Sequence, residues 1–204
     1  MSKIEAGTDA IIAAVERLLE QGDRDLTIAA ICRESKYSRS GFYHHFSSLD
    51  ECLNLAFTKA VEETLVAAAP WLTSTDPELP KLWPSLRSVQ DVFLKHGNLM
   101  ILVHHRLPFV FYPALQQFNV AVSSRIQIVA PWVSVAEADL LAVFLNAGDV
   151  ALWEEYIVTN FSNRNIEQLF DIVYHSWTLI LQLSVWTERH IDPNSRESAY
   201  IAQI

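Results

Sequence analysis

The chain has 204 residues, of which 50% are hydrophobic and 19% are charged, and its formal net charge is −9. This composition is that of a globular protein with one large core or two small ones, and it excludes an intrinsically disordered chain. The acidic balance argues against nucleic-acid binding over the whole surface, so any such contact has to come from a local basic region.

Apolar residues recur at helical spacing at the start of the chain, and no convincing strand-like alternation occurs anywhere. The pattern therefore predicts an all-α protein. Its first helix covers Ile4–Leu19 and stops at Gly22, a residue suited to a C-terminal cap. Thr27 and Ser38 are then predicted to be the N-caps of two short helices, the first of which ends near Ser35.

Ser48 and Glu51 have the spacing of a capping box, which predicts a fourth helix that continues to Pro70. Four prolines between Pro70 and Pro84 indicate an irregular connection. We therefore expect a small N-terminal domain over residues 1–60 and a larger helical domain over residues 61–204. In the larger domain, helices are predicted at about 86–97, 99–107, 114–129, 134–160 and 165–190.

The segment "TIAAICRESKYSRSGFYHHF", residues 27–46, contains a local excess of positive charge. Between residues 27 and 49, Arg33, Lys36 and Arg39 stand against a single acidic residue, Glu34. Two short helices joined by a tight connection, the second opened by serine, are typical of a helix-turn-helix. In such a motif the second helix enters the major groove of DNA, where a local basic surface meets phosphate.

The aromatic residues of the second short helix predict which of its faces is buried. Phe42 and Phe46 are four residues apart, so they share a face that we expect to point inward. The outward face then consists of Arg39, Ser40, Tyr43 and His44. An arginine there can bind guanine through two hydrogen bonds, and a tyrosine is long enough to reach the DNA backbone.

Residues 10–57, with the stretch "LTIAAICRESKYSRSGFYHHFSSLDECLNLAF", resemble the N-terminal domain of the tetracycline-repressor (TetR) family of transcriptional regulators. The shared features are a Leu-Thr helix start, an Ile on the bracing helix, a Ser-Arg opening, a Phe-Tyr pair and a Phe before an acidic capped helix. The resemblance implies a cytoplasmic homodimer that binds a pseudo-palindromic operator in double-stranded DNA, most often as a repressor released by a small-molecule effector.

Carried over to this sequence, the resemblance implies that the DNA-binding residues are Thr27, Ser38, Arg39, Ser40, Gly41, Tyr43 and His45. The local positive charge and the outward face add Lys36 and His44 to the candidates. Three positions depart from the family pattern. Lys36 replaces the usual glycine of the turn, so either a positive φ there carries strain or the turn differs. Gly41 replaces a Thr or Ser that faces the bases, and Leu49 replaces a lysine, which lowers the salt-dependent share of the affinity.

The second half of the chain resembles the family only in its arrangement of helices. Its last two long helices match in place the pair that forms the family's four-helix dimer interface. The predicted interface residues are Leu141, Phe144, Leu145, Gly148, Leu152, Val173, Trp177, Ile180 and Leu181. Aromatic and polar residues between the linker and this pair are candidates for a lipophilic or aromatic effector, although any one of them is more often a core residue. They are Trp83, Phe93, His96, Met100, His104, Phe111, Tyr112, Phe118, Asn146, Asp149, Trp153 and Tyr174.

Other classes of site find little support in the sequence. His104 and His105 are adjacent and diverge by about 100° on a helix, and no HExxH motif exists, so neither a metal nor a cofactor is predicted. No GxSxG elbow or glycine-rich phosphate loop suggests an enzyme. The alternative to a regulator is an all-helical enzyme or protein-interaction module whose N-terminal segment only resembles a DNA reader.

The cysteines and the ends of the chain suggest a cytoplasmic location. Cys32 and Cys52 are too few for a disulfide framework and more often fill apolar positions than act as a redox pair. The polar N-terminus differs from a signal peptide, and no apolar run reaches the roughly 18 residues of a membrane span.

Overall fold

The computed structural model describes residues 3–23, 25–75, 82–158 and 168–179. Seven helices have these bounds: α1 Lys3–Glu20, α2 Ile28–Ser35, α3 Arg39–His45, α4 Leu49–Leu72, α5 Leu82–Arg106, α6 Pro108–Val129 and α7 Val135–Val158. We call the helical segment 168–179 α8. Within these ranges there is no strand, and the all-α fold is confirmed. None of the described helices is long and apolar enough to cross a membrane.

The ends of the first four helices follow from local side-chain chemistry. The hydroxyls of Thr27, Ser38 and Ser48 each accept a hydrogen bond from the backbone N–H three residues later, at 3.2, 3.0 and 3.1 Å. Gly22 has a φ of 84° and ends the turn after α1, where its N–H donates to the carbonyl of Leu19. The predicted caps are therefore confirmed, because each satisfies a backbone group that a helix end leaves without a partner.

The middle helices are longer than the sequence predicts. α4 continues past Pro70, which has no N–H to donate to the carbonyl of Val66. Both residues are exposed, so water can donate to that carbonyl instead. α5 runs without a break where two helices were expected, since Gly97 is buried inside it and packing outweighs the cost of about 1 kcal/mol for a helical glycine. α6 begins at Pro108, whose fixed φ suits the first helical position.

Two clusters of buried apolar residues hold the helices together. The first joins α1–α4 to the end of α5 and the start of α6, and it includes Ile31, Phe42, Phe57, Leu99 and Phe111. The second packs the end of α4 and the start of α5 against α6, α7 and α8. The boundary expected at residue 60 falls within α4, and the first cluster contains residues from both sides of it. The helix that follows α3 is therefore also a wall of the second half of the chain.

Candidate nucleic-acid interface

α3 is anchored by two phenylalanines on one face. Phe42 is fully buried and Phe46 is 3% exposed, with ring centroids 5.6 Å apart. Tyr43, the residue next to Phe42, is 56% exposed. The buried rings fix the rotation of the helix about its axis, so the predicted outward face is the one that meets solvent.

The outward face carries hydrogen-bond donors with few partners in the protein. Arg39, Ser40 and His44 are exposed, and so are Arg33 and Lys36 from the preceding helix and turn. Within the described residues, Arg39 makes no hydrogen bond or ion pair, while the hydroxyl of Ser40 lies 3.1 Å from that of Ser38. An unpaired guanidinium keeps all five of its N–H donors available to phosphate or to a base edge.

The turn between α2 and α3 has the strain that the sequence implies. Lys36 has φ 63° and ψ 21°, in the left-handed region, and it is the one non-glycine residue with positive φ among those described. The backbone N–H of the next residue, Tyr37, donates to the Ser35 hydroxyl at 3.4 Å. The turn thus keeps the usual geometry with lysine in the place of glycine, at a cost of about 1–2 kcal/mol.

Gly41 is placed differently from the prediction. It is half-buried, and a Cβ added there would lie 3.2 Å from Cδ1 of Tyr37 and 3.3 Å from Oγ of Ser38. The residue therefore allows the Tyr37 ring to approach α3 closely. A role in packing the turn explains this glycine better than a role in reading bases.

The ring of His45 faces α1. Its Nδ1 lies 3.2 Å from the hydroxyl of Thr8, and its ring meets that of Tyr37 edge-on with centroids 5.7 Å apart. A Cβ added to Gly7 would lie 2.5 Å from this ring, so a larger residue there would require the ring to shift. His45 fixes α3 to α1, and its contact with the DNA backbone stays a prediction.

Polar bridges connect α1 and α4 to α5. Arg106 Nε donates to Oδ1 of Asp50 at 2.7 Å. His96, whose side chain is 3% exposed, lies between two carboxylates: Nδ1 is 2.8 Å from Glu16 and Nε2 is 3.0 Å from Glu63. The Glu16 contact first, and then the Glu63 contact, raise the pKa of His96 against the opposing effect of burial. His96 was predicted to bind an effector, but the structure places it in this bridge.

A cavity of about 80 Å3 lies between α4, α5, α6 and α7. Its walls are mainly apolar: Phe57, Val61, Thr64, Val89, Phe93, Met100, Phe111, Ala114, Leu115, Phe118, Asn146, Asp149 and Val150. Six of these were predicted as effector contacts. The α4 contribution was missed, although Phe57, Val61 and Thr64 share one helical face that continues past residue 60.

The other candidate effector residues lie elsewhere. Trp83 packs edge-on against Tyr174 with centroids 4.6 Å apart, and Tyr112 is 55% exposed. His104 and Trp153 line a smaller cavity of about 20 Å3 beside the first one. Aromatic residues at helical spacing thus divide between cavity wall and core, which sequence spacing does not distinguish.

Asp149 gives the main cavity a carboxylate in an apolar setting. The residue is partly buried, and its two oxygens accept hydrogen bonds from Trp177 Nε1 at 3.2 and 3.1 Å. Burial raises the pKa of this carboxyl to about 7, and the bond from Trp177 opposes that rise. The cavity wall therefore holds a group that changes charge near neutral pH.

α7 and α8 present an exposed apolar face. Phe144 is 66% exposed and Leu140 is 70% exposed, and Gly148 is also exposed on α7. On α8, Ile172 and Leu179 are also exposed, at 48% and 57%.

Several predicted interface residues do not belong to this face. Leu145, Val173 and Trp177 are at most 3% exposed, because they pack inside the protomer in the second cluster. Leu141 and Leu152 are half-buried against the same cluster. Ile180 and Leu181 lie outside the described residues.

Comparisons with known proteins agree with this architecture. Residues 11–56 match the family model described as bacterial regulatory proteins, tetR family. Eighteen chains of solved structures match the fold. One is a transcriptional regulator of the TerR/AcrR family from Aquifex aeolicus VF5, with a TM-score of 0.63, 12% sequence identity, and coverage of 85% of this chain and 99% of that chain. No curated protein matches the chain.

Proposed function

We propose that this chain, whose N-terminal domain belongs to the tetR family of bacterial regulatory proteins, is a cytoplasmic, ligand-responsive repressor. In this proposal a homodimer binds a pseudo-palindromic operator and is released by a small lipophilic or aromatic effector. The observation that carries the proposal is the orientation of α3: Phe42 is buried beneath it, and Arg39 and Tyr43 extend into solvent.

The outward residues of α3 supply both kinds of contact that DNA recognition needs. Arg39 has no partner among the described residues and can bind guanine O6 and N7 in the major groove. The exposed hydroxyl of Tyr43 can donate a hydrogen bond to phosphate. The hydroxyl of Thr27 can do the same, because its oxygen accepts the cap bond of α2 while its hydrogen stays available. The acidic remainder of the protein restricts DNA to this surface.

The exposed face of α7 and α8 supports a dimer. A helix with Leu140, Phe144 and Gly148 in solvent exposes apolar area that a second copy of the same face can bury. Gly148 has no atom within 4 Å of the position of a Cβ, so a partner helix can approach it closely. A two-fold axis here presents two copies of α3 to successive turns of one face of DNA.

The cavity supports effector control through α4. Its volume of about 80 Å3 is below the roughly 300 Å3 of common ligand sites, so an effector has to enlarge it. Phe57 of α4 and Phe111 of α6 form part of its wall with ring centroids 5.7 Å apart. Displacing Phe57 moves α4, whose N-terminus follows directly after α3, and so changes the separation of the two copies of α3.

The experiment is selection of a binding site from a randomised duplex library, followed by affinity measurement on the enriched site. Arg39→Ala and Tyr43→Phe are the test variants. Lys95→Gln and Tyr156→Phe are the matched controls on α5 and α7, far along the chain from α3. We expect a pseudo-palindromic site and a loss of about 1–3 kcal/mol of binding free energy for Arg39→Ala. Selection that enriches no sequence, or equal losses in the controls, contradicts the proposal.

The dimer is tested by light scattering with two matched substitutions. Phe144→Glu places a charge on the proposed interface, whereas Phe109→Glu changes a phenylalanine that is 74% exposed at the start of α6. We expect Phe144→Glu to yield monomers that have lost operator binding, while Phe109→Glu stays dimeric. Identical behaviour of the two variants contradicts the assignment of this face.

A further inference from the structure

The last turn of α5 and the C-terminal part of α7 bring together two histidines and a glutamate. The side chains are His104 and His105 at the end of α5 and Glu154 on α7, and one ligand atom from each lies within 4.8 Å of the other two. His105 Nε2 is 2.6 Å from Oε1 of Glu154, and His104 Nδ1 is 3.6 Å from Oε2. Although neighbours on a helix diverge by about 100°, these two rings reach the same carboxylate with centroids 5.0 Å apart.

We propose that His104, His105 and Glu154 bind a divalent transition-metal cation of the zinc class. Two neutral imidazoles and one carboxylate, with a fourth position left open, are a ligand set that Zn2+ takes in proteins. Magnesium and calcium prefer sites made of oxygen atoms alone. The proposal goes beyond DNA binding and does not depend on it.

The hydrogen bonding of His104 prepares it as a ligand. Its Nε2 lies 3.3 Å from the hydroxyl of Tyr112, a suitable partner for an Nε2–H donor. Its Nδ1 is buried and makes no hydrogen bond, so in this tautomer an unshared electron pair points toward Glu154. A partner on the far ring nitrogen that fixes the tautomer is the usual second layer of a metal-binding histidine.

The distances are close to those that a metal ion needs. With metal–ligand bonds of about 2.0–2.1 Å, two ligand atoms in a tetrahedral site lie roughly 3.3 Å apart. The 3.6 Å contact of His104 is to Oε2 of Glu154, and the 2.6 Å contact of His105 is to Oε1. The three ligand atoms lie within 4.8 Å of one another, so side-chain rotations that shorten this spread to about 3.3 Å are needed on binding. A plain ion pair with Glu154 explains His105, whose side chain is 61% exposed, but at 3.6 Å it leaves the buried Nδ1 of His104 without a hydrogen bond.

The position of the site connects it to the rest of the molecule. A bound cation would fix the end of α5 to α7, immediately before the Arg106–Asp50 hydrogen bond to α4. The His104 ring also packs on Phe111, with centroids 4.6 Å apart, and Phe111 belongs to the wall of the main cavity. Metal binding is therefore expected to stiffen the helices around that cavity.

The test is calorimetric titration of chelator-treated full-length protein with Zn2+, together with the visible absorption spectrum of the Co2+ form. We expect saturable binding of one ion per protomer and a Co2+ spectrum typical of a four-coordinate site. His104→Ala and Glu154→Gln should each weaken binding more than about tenfold, and Tyr112→Phe about tenfold through the loss of its support. The control is His175→Ala, an exposed histidine on α8, which should bind as wild type does.

The control for folding is the circular dichroism spectrum of each variant, which should show the helical content of wild type. The absence of saturable binding in wild type overturns the proposal. Binding that survives both His104→Ala and Glu154→Gln also overturns it. An equal loss of affinity in His175→Ala overturns it as well, because that result would indicate non-specific association with surface histidines.

Discussion

Replacing Asp149 with asparagine tests how the cavity wall titrates. The folded pKa of this carboxyl is about 7, raised by burial from 3.8. Between pH 3.8 and 7 the folded protein holds a proton on this carboxyl that the unfolded chain has lost. The free energy of unfolding therefore falls as pH rises through this window, and it no longer depends on this group above the folded pKa. Each pH unit in this window is worth about 1.4 kcal/mol. Partial exposure of the residue reduces the total between pH 5 and 7 to about 2 kcal/mol.

Asparagine keeps an oxygen that can accept the Trp177 hydrogen bond but has no charge to lose. The stability of Asp149→Asn minus that of wild type should therefore increase by about 2 kcal/mol from pH 5 to pH 7 and stay level above pH 8. Urea denaturation at fixed temperature across this range measures the difference, and other titrating groups cancel in it. A difference that is independent of pH would refute the assignment of a buried, titrating carboxyl.

Three other substitutions test the framework that positions α3. Phe42→Ala empties a fully buried position and should cost about 3–5 kcal/mol, read as a lower denaturation midpoint. Lys36→Gly relieves a left-handed φ of 63° and should raise stability by up to about 1 kcal/mol in the same assay, so a loss would contradict strain at the turn. For His96 the folded pKa is raised, so its contribution is complete below the unfolded pKa of about 6.5 and is lost as pH rises through the folded value. His96→Gln should accordingly cost most at pH 6 and progressively less above it, and a cost that grows with pH would contradict the bridge to Glu16 and Glu63.

Features of the fold that depend on neighbours in the chain are predictable from the sequence. The caps at Thr27, Ser38 and Ser48 each need one hydroxyl and the backbone three residues on, and all three occur as expected. The positive φ at Lys36, by contrast, was expected only from the resemblance, which has glycine at this position of the turn. The burial of Phe42 beneath α3 follows from its spacing to Phe46.

Features that depend on tertiary packing were missed for physical reasons. Gly97 predicts a helix end from the local sequence, but α5 continues through it because the residue is buried by tertiary packing. Leu145 and Phe144 are adjacent and both apolar, yet one is 3% exposed and the other 66% exposed, because the helices that pack on α7 decide which of its faces is inside. The meeting of His104 and Glu154 likewise depends on how α5 packs on α7, which no spacing along the chain encodes.

The most direct test of the central claim places a cleavage reagent on the outward face of α3. Ser40→Cys introduces one exposed thiol to which an iron–chelate reagent can be attached. The native thiols are not expected to react, because Cys32 and Cys52 are both buried and burial raises the pKa of Cys52 to about 12. On the selected operator we expect strand cleavage at two sites one helical turn or a multiple of it apart, about 34–36 Å per turn. Val66→Cys, on the exposed side of α4, is the control and should give no such pattern. Cleavage that is absent from Ser40→Cys, or identical in the two variants, would contradict the claim that α3 reads DNA.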